Sequence, residues 1–528
     1  MLSRDLTGAS THASDSMVRP ICNTSTACNS VFALLVLAIL LPESMRVRAD
    51  DWPMRGQNVY RRSWIDESFG PHIWQSETDK VAKNAVAAEA KLEISEARKA
   101  KIRWTAGGFY GAMCDPVVSN GLLWIGTADP IGPDDHDSGV LACFDAKSGE
   151  LLFQHISEKL GDADQDWPGT GNTSSPFIQG NRLWFCTTRL EVICLDIQPL
   201  IDRTGQPTVQ WSVDFKDRFK IIPKDVHLGN RASRCSIVGC ESLIFINTTH
   251  SASRDGTRAD PDLPSFVCLN DKTGETVWTD KSPGSNIVRN QHCNPVILRA
   301  GDKTLVAIGQ GDGWVRAFDA STGAVAWEFD LNSKAERAGF KKRPYGFIRK
   351  LTESPVFDGR YLYFVLGNDR EFNIGDSRVF CIDPVGSGDI SAEVEVDGNV
   401  VPNIKSGLVW EFTGQPNGTM KTSIAGLCVS RNFVFAADGD GTVYCLDRAT
   451  GKMHWRHEML DTIIGTPLVV GDTLYVADED GDVEVMRASA RYEHIATMNH
   501  WSSIESSLIY AGDTLFIVSR SNVFAIGK

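Results

Sequence analysis

The chain has 528 residues, 42% of them hydrophobic, and a formal net charge of −14. That apolar content supports a large core, in several domains or in one repeat array. The acidic balance excludes the clustered Lys and Arg that phosphate neutralisation requires, so nucleic acid is not an expected partner.

The N-terminus reads as an export signal: Arg19 precedes the apolar run Val31 to Leu41, and the small-residue exit Val47 to Ala49 follows. This places cleavage after Ala49, with Met17 as an alternative start. The run holds 11 residues, short of the roughly 20 that cross a bilayer as a helix. The expectation is an extracytoplasmic protein, periplasmic or secreted, whose mature chain has no transmembrane span. Of the 13 cysteines, Cys22 and Cys28 fall in the signal, which leaves an odd number that cannot all pair. From Gln75 to Lys101 the Ala, Glu and Lys content predicts an exposed helix with paired charges, the one convincing helix of the chain. Residues 50–100 are accordingly read as an N-terminal extension and 101–528 as the main domain.

From Ile102 onward, short alternating apolar runs are broken by Gly, Asp and Asn, the signature of strands and turns. Units recur. Each opens with a polar residue and often Pro, as at Cys114-Asp115-Pro116 and Cys293-Asn294-Pro295, and continues with a second strand such as "LLWIGT" or "RLWFCT". Counting second strands gives eight units, the last with only three strands before Lys528. The segment Lys101 to Gly107, with Trp104 in the expected place, supplies the missing fourth strand if the array closes on itself. About 53 residues per unit is close to the period of propeller repeats. Circular stacking buries the sheet faces and protects their edges. The expected fold is all-β: an eight-bladed β-propeller of four-stranded antiparallel blades. Asp312-Gly313, Asp440-Gly441 and Asp480-Gly481 mark hairpin turns between second and third strands.

A phrase Asp-x-x-Thr-Gly-x-x-x-Trp appears as Asp319, Thr322, Gly323, Trp327 and as Asp447, Thr450, Gly451, Trp455. Asn270 replaces the Asp in the copy ending at Trp278, and Phe153 replaces the Trp in the copy beginning at Asp145. The phrase resembles the tryptophan-docking motif of PQQ-like, or quinoprotein-type, β-propeller repeats, and the opening Asp51 to Gly56, "DWPMRG", resembles the start of their secreted members. The resemblance implies that Trp104, Trp211, Trp278, Trp327, Trp410 and Trp455 lie flat between neighbouring blades. On function it is divided, because the family holds both PQQ- and Ca²⁺-dependent dehydrogenases and propellers without a cofactor, the outer-membrane-protein assembly lipoprotein among them. The chain has no adjacent Cys-Cys pair and no Cys-x-x-Cys-His haem site, features of many quinoproteins though not of all.

Cys143, Cys194, Cys268, Cys381 and Cys445 each stand two residues before the Asp or Asn that ends a third strand, where another unit has Ala317. They read as small core residues rather than as metal ligands or disulfides. Asp162 to Gly169 starts like a Ca²⁺ loop but carries Trp167 and Thr173 where the loop needs Gly and Glu, and so reads as a solvated acidic loop. Gly309 to Gly313 joins two strands and cannot offer a helix N-terminus to phosphate.

Binding residues are expected where each fourth strand crosses to the next first strand, around the channel mouth. Alignment of strand starts groups Arg234, His292 and Lys421 at one repeat position and Glu353 and Glu505 at the next. Tyr110, Asn172, Arg231, Arg289, Tyr345, Arg349 and Trp501, with Trp167, crown the same rim. A cationic and aromatic rim suits an anionic or carbohydrate-like small molecule, a quinone, or a protein segment. The alternative is that these side chains pair with one another and seal the channel. No catalytic residue is assigned. The leading expectation is a binding or interaction scaffold, against a PQQ- and Ca²⁺-dependent alcohol or sugar dehydrogenase and, third, an outer-membrane protein assembly factor.

Overall fold

A computed structural model describes residues 51–528 apart from 59–60, 67–69, 72, 76–98, 113, 129–137, 159–170, 222–235, 251–258, 289–290, 341–348, 352, 368–375 and 417. The stretch read as an export signal, the one read as an acidic loop at 162–169 and most of the segment expected as a helix lie outside those residues. The two ends of that segment, Gln75 and Lys99 to Lys101, are strand. Short helices occur instead at Gln198–Ile201, Phe215–Phe219 and Lys334–Phe340.

Eight small sheets make an eight-bladed β-propeller. Blades 1 to 7 span 117–158, 177–214, 238–280, 296–330, 356–412, 428–458 and 468–499. Blade 8 spans 509–527 and takes its outer strand, Lys99–Gly107, from the other end of the domain, antiparallel to Asn522–Gly527. The closing strand expected from the sequence is therefore present and two residues longer at its start.

One row of residues repeats across every blade. Val117, Trp124, Cys143 and Phe153 are cross-strand partners in blade 1. The same row is Val238, Phe245, Cys268 and Trp278 in blade 3, and Cys428, Phe435, Cys445 and Trp455 in blade 6. The register slips at this row in blade after blade, as at Cys268/Leu269, Ala317/Phe318 and Cys445/Leu446. A bulge at a fixed place bends the outer strand and increases its twist, as stacked twisted sheets require. The small third-strand residue leaves room for the ring opposite it. The ten described cysteines are all free and buried, and burial holds the thiols of Cys194 and Cys381 up at about 12. Each core lies between two neighbouring sheets: Trp124, Leu141 and Cys143 of blade 1 pack with Leu183, Phe185 and Ile193 of blade 2.

The outer turns follow from the repeated phrase. Asp319 Oδ1 accepts the amides of Ser321 and Thr322 and both their hydroxyls, and Gly323 donates its N–H to Asp319 O. Gly323 sits at φ +73, which a glycine adopts without strain. Four indoles lie over the turn glycine of the next blade: Trp104 on Gly149, Trp211 on Gly274, Trp278 on Gly323 and Trp410 on Gly451. Each donates its Nε1–H to the carbonyl that follows the turn Asp or Asn, at Ala146, Asp271, Ala320 and Arg448, over 2.9–3.2 Å. Trp327 differs. Blade 5 replaces this turn with residues 383–407, Gly388–Asp389 pairs with Trp327 and Glu328, and the Trp327 N–H has no partner among the described residues. The insertion carries a hairpin, Glu393–Val396 with Asn399–Pro402, whose turn residues Asp397 and Gly398 both have positive φ.

The segment read as an extension is woven into the propeller. Trp52 exchanges both backbone hydrogen bonds with Val118 of blade 1, and Pro53 O accepts from Ile178 of blade 2. Arg61 donates to Ser236 O and Pro295 O of blades 3 and 4, and Arg62 to Phe357 O of blade 5. Arg62 O accepts from Val429 of blade 6, and Trp64–Ile65 adds a parallel strand to the inner edge of blade 7. One stretch of chain thus ties seven innermost strands.

Candidate functional site

The start of every innermost strand but that of blade 6, which has Gly426, carries a small polar residue, and several of these residues join blade to blade. Ser175 N–H donates to Ser236 Oγ at 3.2 Å, Ser236 N–H to Asn294 Oδ1, Thr466 N–H to Ser507 Oγ at 2.9 Å and Ser507 N–H to Asp115 Oδ1 at 2.7 Å. This girdle satisfies strand-start amides that would otherwise be buried without partners. Inside it stands Arg55, whose Nε lies 3.2 Å from Asp115 Oδ2 and whose Nη2 lies 2.6 Å from Glu353 Oε2, across the axis between blades 1 and 5. Burial works against its charge, yet Asp115 and Glu353 together hold the guanidinium above its ordinary value. Arg61 is the opposite case: buried, beside Arg55 and bonded only to carbonyls, it is pushed down to about 9 by burial first and by Arg55 second.

The strand register corrects the expected grouping at the mouth. His292 and Glu505 both stand four residues before the first residue of the inner-strand row, Val296 and Ile509, and share one repeat position. Glu353 is three before Val356, and Lys421 is seven before Cys428, level with Arg349 before Val356 and Tyr110 before Val117.

The structure brings some of the expected residues together. The Arg520 guanidinium, in the hairpin turn of blade 8, lies over the Tyr110 ring at 5.6 Å, and its Nε is 3.2 Å from Glu505 Oε1, so that two connections meet at one cation. Glu353 is drawn inward to Arg55. Arg349 pairs with Glu336 of the helix Lys334–Phe340 at 3.1 Å, and its carbonyl accepts from Asn332. Asn172 is buried, with Oδ1 accepting from Ser174 N and Nδ2 without a partner among the described residues. His292 is buried. Lys421 and Trp501 point to solvent on separate blades, Trp501 being 75% exposed at φ +55 with its amide on Asn499 Oδ1. Arg231, Arg234, Arg289 and Tyr345 lie outside the described residues. Arg55 and Arg520, which organise the axis and the rim, were not anticipated from the sequence. The "DWPMRG" stretch contains Arg55, but nothing local in it points to Asp115 or Glu353.

On the same face a cavity of about 580 Å³ opens over blades 6 and 7, lined by Thr422, Asp440, Leu460, Asp461 and Thr462 among others.

A family model described as outer membrane protein assembly factor BamB, built on PQQ-like repeats, matches residues 137–404 and 402–526. The chain belongs to this PQQ-like repeat family. No curated relative matches the chain. Among solved structures, BamB from Moraxella catarrhalis is 16% identical, with 81% of this chain and 100% of that one covered and a TM-score of 0.50. Quinohemoprotein alcohol dehydrogenase from Comamonas testosteroni is 12% identical over 92% and 82%, with a TM-score of 0.58. A europium-containing methanol dehydrogenase is 10% identical over 91% and 98%, with a TM-score of 0.50. At such identities the likeness shows the propeller and nothing finer.

The PQQ and Ca²⁺ named as an alternative in the sequence reading can be tested against the residues at the axis. Ca²⁺ takes six to eight oxygens. Among the described residues no group of three or more His, Cys, Asp or Glu converges, and the axial carboxylates are both engaged by Arg55. The space beside Arg55, Arg61 and Glu353 is about 10 Å³, against roughly 300 Å³ or more for a small-molecule pocket. The described residues at this level of the axis do not fit a tricyclic quinone and its cation. Among the described residues no helix is long and apolar enough to cross a membrane.

Proposed function

We propose that this PQQ-like repeat propeller is an extracytoplasmic binding scaffold that engages a protein or small-molecule ligand through the loops of its channel mouth. The observation that carries this reading is the engaged axis: Arg55 takes up both Asp115 and Glu353, and residues 52–53 and 62–65 are bonded along the innermost strands. Binding groups are left on the connections, where a rigid scaffold holds loops in fixed positions. The N-terminal pattern of Arg19, the apolar run 31–41 and Ala49 supports export. The deciding experiment adds PQQ and Ca²⁺ to purified protein and follows dye reduction with a panel of alcohols and sugars. The scaffold reading expects no saturable activity, and saturable turnover would refute it in favour of a dehydrogenase. The family description supports a second reading, a role in outer-membrane protein assembly. Co-purification with outer-membrane assembly proteins after mild crosslinking tests it, and recovery of none counts against it.

A further inference from the structure

The mouth is electrically divided. On blade 5 the cation Arg349 is already neutralised by Glu336. Beside blades 6 and 7, Asp440 and Asp461 have no such partner among the described residues. Asp440, in the turn between the second and third strands of blade 6, is exposed and donates its own amide to Asp438 Oδ1. Asp461, in the connection to blade 7, accepts the Thr462 amide at 2.7 Å. Neither carboxylate has a cationic partner among the described residues. Both line the cavity of about 580 Å³, and Leu460, 88% exposed, lies beside them. Its walls are held rigidly: Gly439 N–H bonds Thr422 O, Met459 N–H bonds Gly441 O, and Glu479 N–H bonds Thr462 O. In blade 7 the side chain of Asp478 is fully buried and its Oδ2 has no donor among the described residues, whereas the blade 6 counterpart, Asp438 Oδ2, receives the Tyr444 hydroxyl and the Lys421 amide. Trp501 occupies in the next blade the repeat position that Leu460 occupies here, each eight residues before the inner-strand row.

Two uncompensated carboxylates in a confined cavity, an aliphatic ledge at its side and an exposed indole one blade on form a complement to a long basic side chain. The charged head pairs with carboxylate, the methylene stem lies along Leu460, and a second cation on the same strand reaches the face of Trp501. Neighbouring sheets pack roughly 10 Å apart, within reach of an extended segment with cations at alternate or third positions. We propose that this cavity is the docking point for a basic, extended segment of a partner polypeptide, with Asp440 and Asp461 receiving one Lys or Arg and Trp501 stacking on a second. The proposal rests on the scaffold reading and gives it a partner chemistry.

The test titrates wild-type protein and variants with a labelled, end-blocked peptide of alternating Arg and Ser, followed by fluorescence anisotropy. An acidic counterpart peptide, a neutral oligosaccharide and CaCl₂ serve as parallel probes. Saturable binding of the basic peptide alone is expected, weakening about five-fold in Asp440→Asn or Asp461→Asn, the size of a charge pair worth about 1 kcal/mol. The double variant and Trp501→Ala should weaken it further and independently. Asp397→Asn, on the hairpin of blade 5, should leave it unchanged. The Asp to Asn substitutions are isosteric, Trp501 is 75% exposed, and equal melting temperatures confirm folding. Failure of the wild type to bind the basic peptide would overturn the proposal. So would equal loss in the Asp397→Asn control, or saturable binding of the oligosaccharide or Ca²⁺ that the same variants abolish. PQQ-dependent dye reduction is read separately, so failure of the scaffold reading is distinguished from failure of this site.

Discussion

Replacement of Arg55 by Met tests the sealed axis most directly. The substitution keeps the unbranched stem and removes the charge that joins Asp115 and Glu353, whose side chains are 4% and 12% exposed. Removing one partner of a buried ion pair costs about 3–5 kcal/mol, chiefly because the surviving charge is left unpaired in low dielectric. Here two carboxylates survive, so the expected loss sits in the upper half of that range. Glu353→Gln alone leaves Arg55 with Asp115 and should cost about 1–2 kcal/mol. Adding Glu353→Gln to Arg55→Met removes one of the orphaned charges and should recover about half of the loss, a coupling that only contacting residues show. Urea unfolding followed by tryptophan fluorescence measures all four corners of the cycle. If Arg55→Met unfolds within about 1 kcal/mol of wild type, or if the double variant is merely additive, Arg55 does not bridge the axis and the channel is more open than the geometry indicates.

Gly323→Ala places a Cβ 2.6 Å from the Trp278 ring at a backbone φ of +73. It should cost about 1–3 kcal/mol in the same unfolding assay, and a neutral result would refute the tight seating of the indole. Asp478→Asn should stabilise the protein at pH 7.5. Burial raises the Asp478 carboxyl from 3.8 to about 6, so its favourable contribution is complete below pH 4 and is lost as the pH rises through 6. The gain from the substitution, at most about 3 kcal/mol, should therefore shrink as melting is measured at progressively lower pH, and a pH-independent gain would refute the assignment. The ten described thiols, buried and free, with Cys114 and Cys293 held up at about 12 by burial first, should not react with Ellman's reagent at pH 8 until denaturant is added. Fast release of several equivalents from the native protein would contradict their role as core residues.

The blades were legible because they repeat. A small third-strand residue opposite a ring, and a turn whose Asp or Asn accepts the following amides, leave the same letters at Cys268–Trp278 and Cys445–Trp455, and four copies of the phrase within eight strand units overdetermine the architecture. Lys101 to Gly107 could be placed on the last blade because it was a fourth strand without the other three. What failed was contact that does not repeat. Arg55 meets Glu353 across 298 residues of chain, and Arg61 reaches Pro295 across 234, so no local pattern marks either. The register of the strand starts slipped for a related reason: the inner strands of blades 5 and 6 are two residues long, too short for their alternation to fix an alignment. In blade 5 the Asp-Gly at 397–398 marked a hairpin that the repeat count passed over, because it stands in place of the expected turn.

The same propeller face therefore carries two different kinds of polar residue, and the fold explains the difference. Residues within four of the inner-strand row, such as Asp115, Glu353 and Glu505, are close enough to the axis to meet residues of other blades or of the segment 51–65, and the structure engages them with Arg55 and Arg520. Of the residues seven or eight before the row, Arg349 and Tyr110 are taken up by Glu336 and Arg520, whereas Lys421, Leu460 and Trp501 are exposed and Asp461 half-buried on connections with fixed backbones. Desolvation penalises an unpaired charge near the axis and hardly touches one at the rim, so the first group is neutralised internally while the second remains available. Rim charges of this kind steer encounter and choose partners more than they stabilise a fold. The division assigns recognition to the outer ring of connections and closure to the inner ring, and the acidic cavity at Asp440 and Asp461 belongs to the outer one.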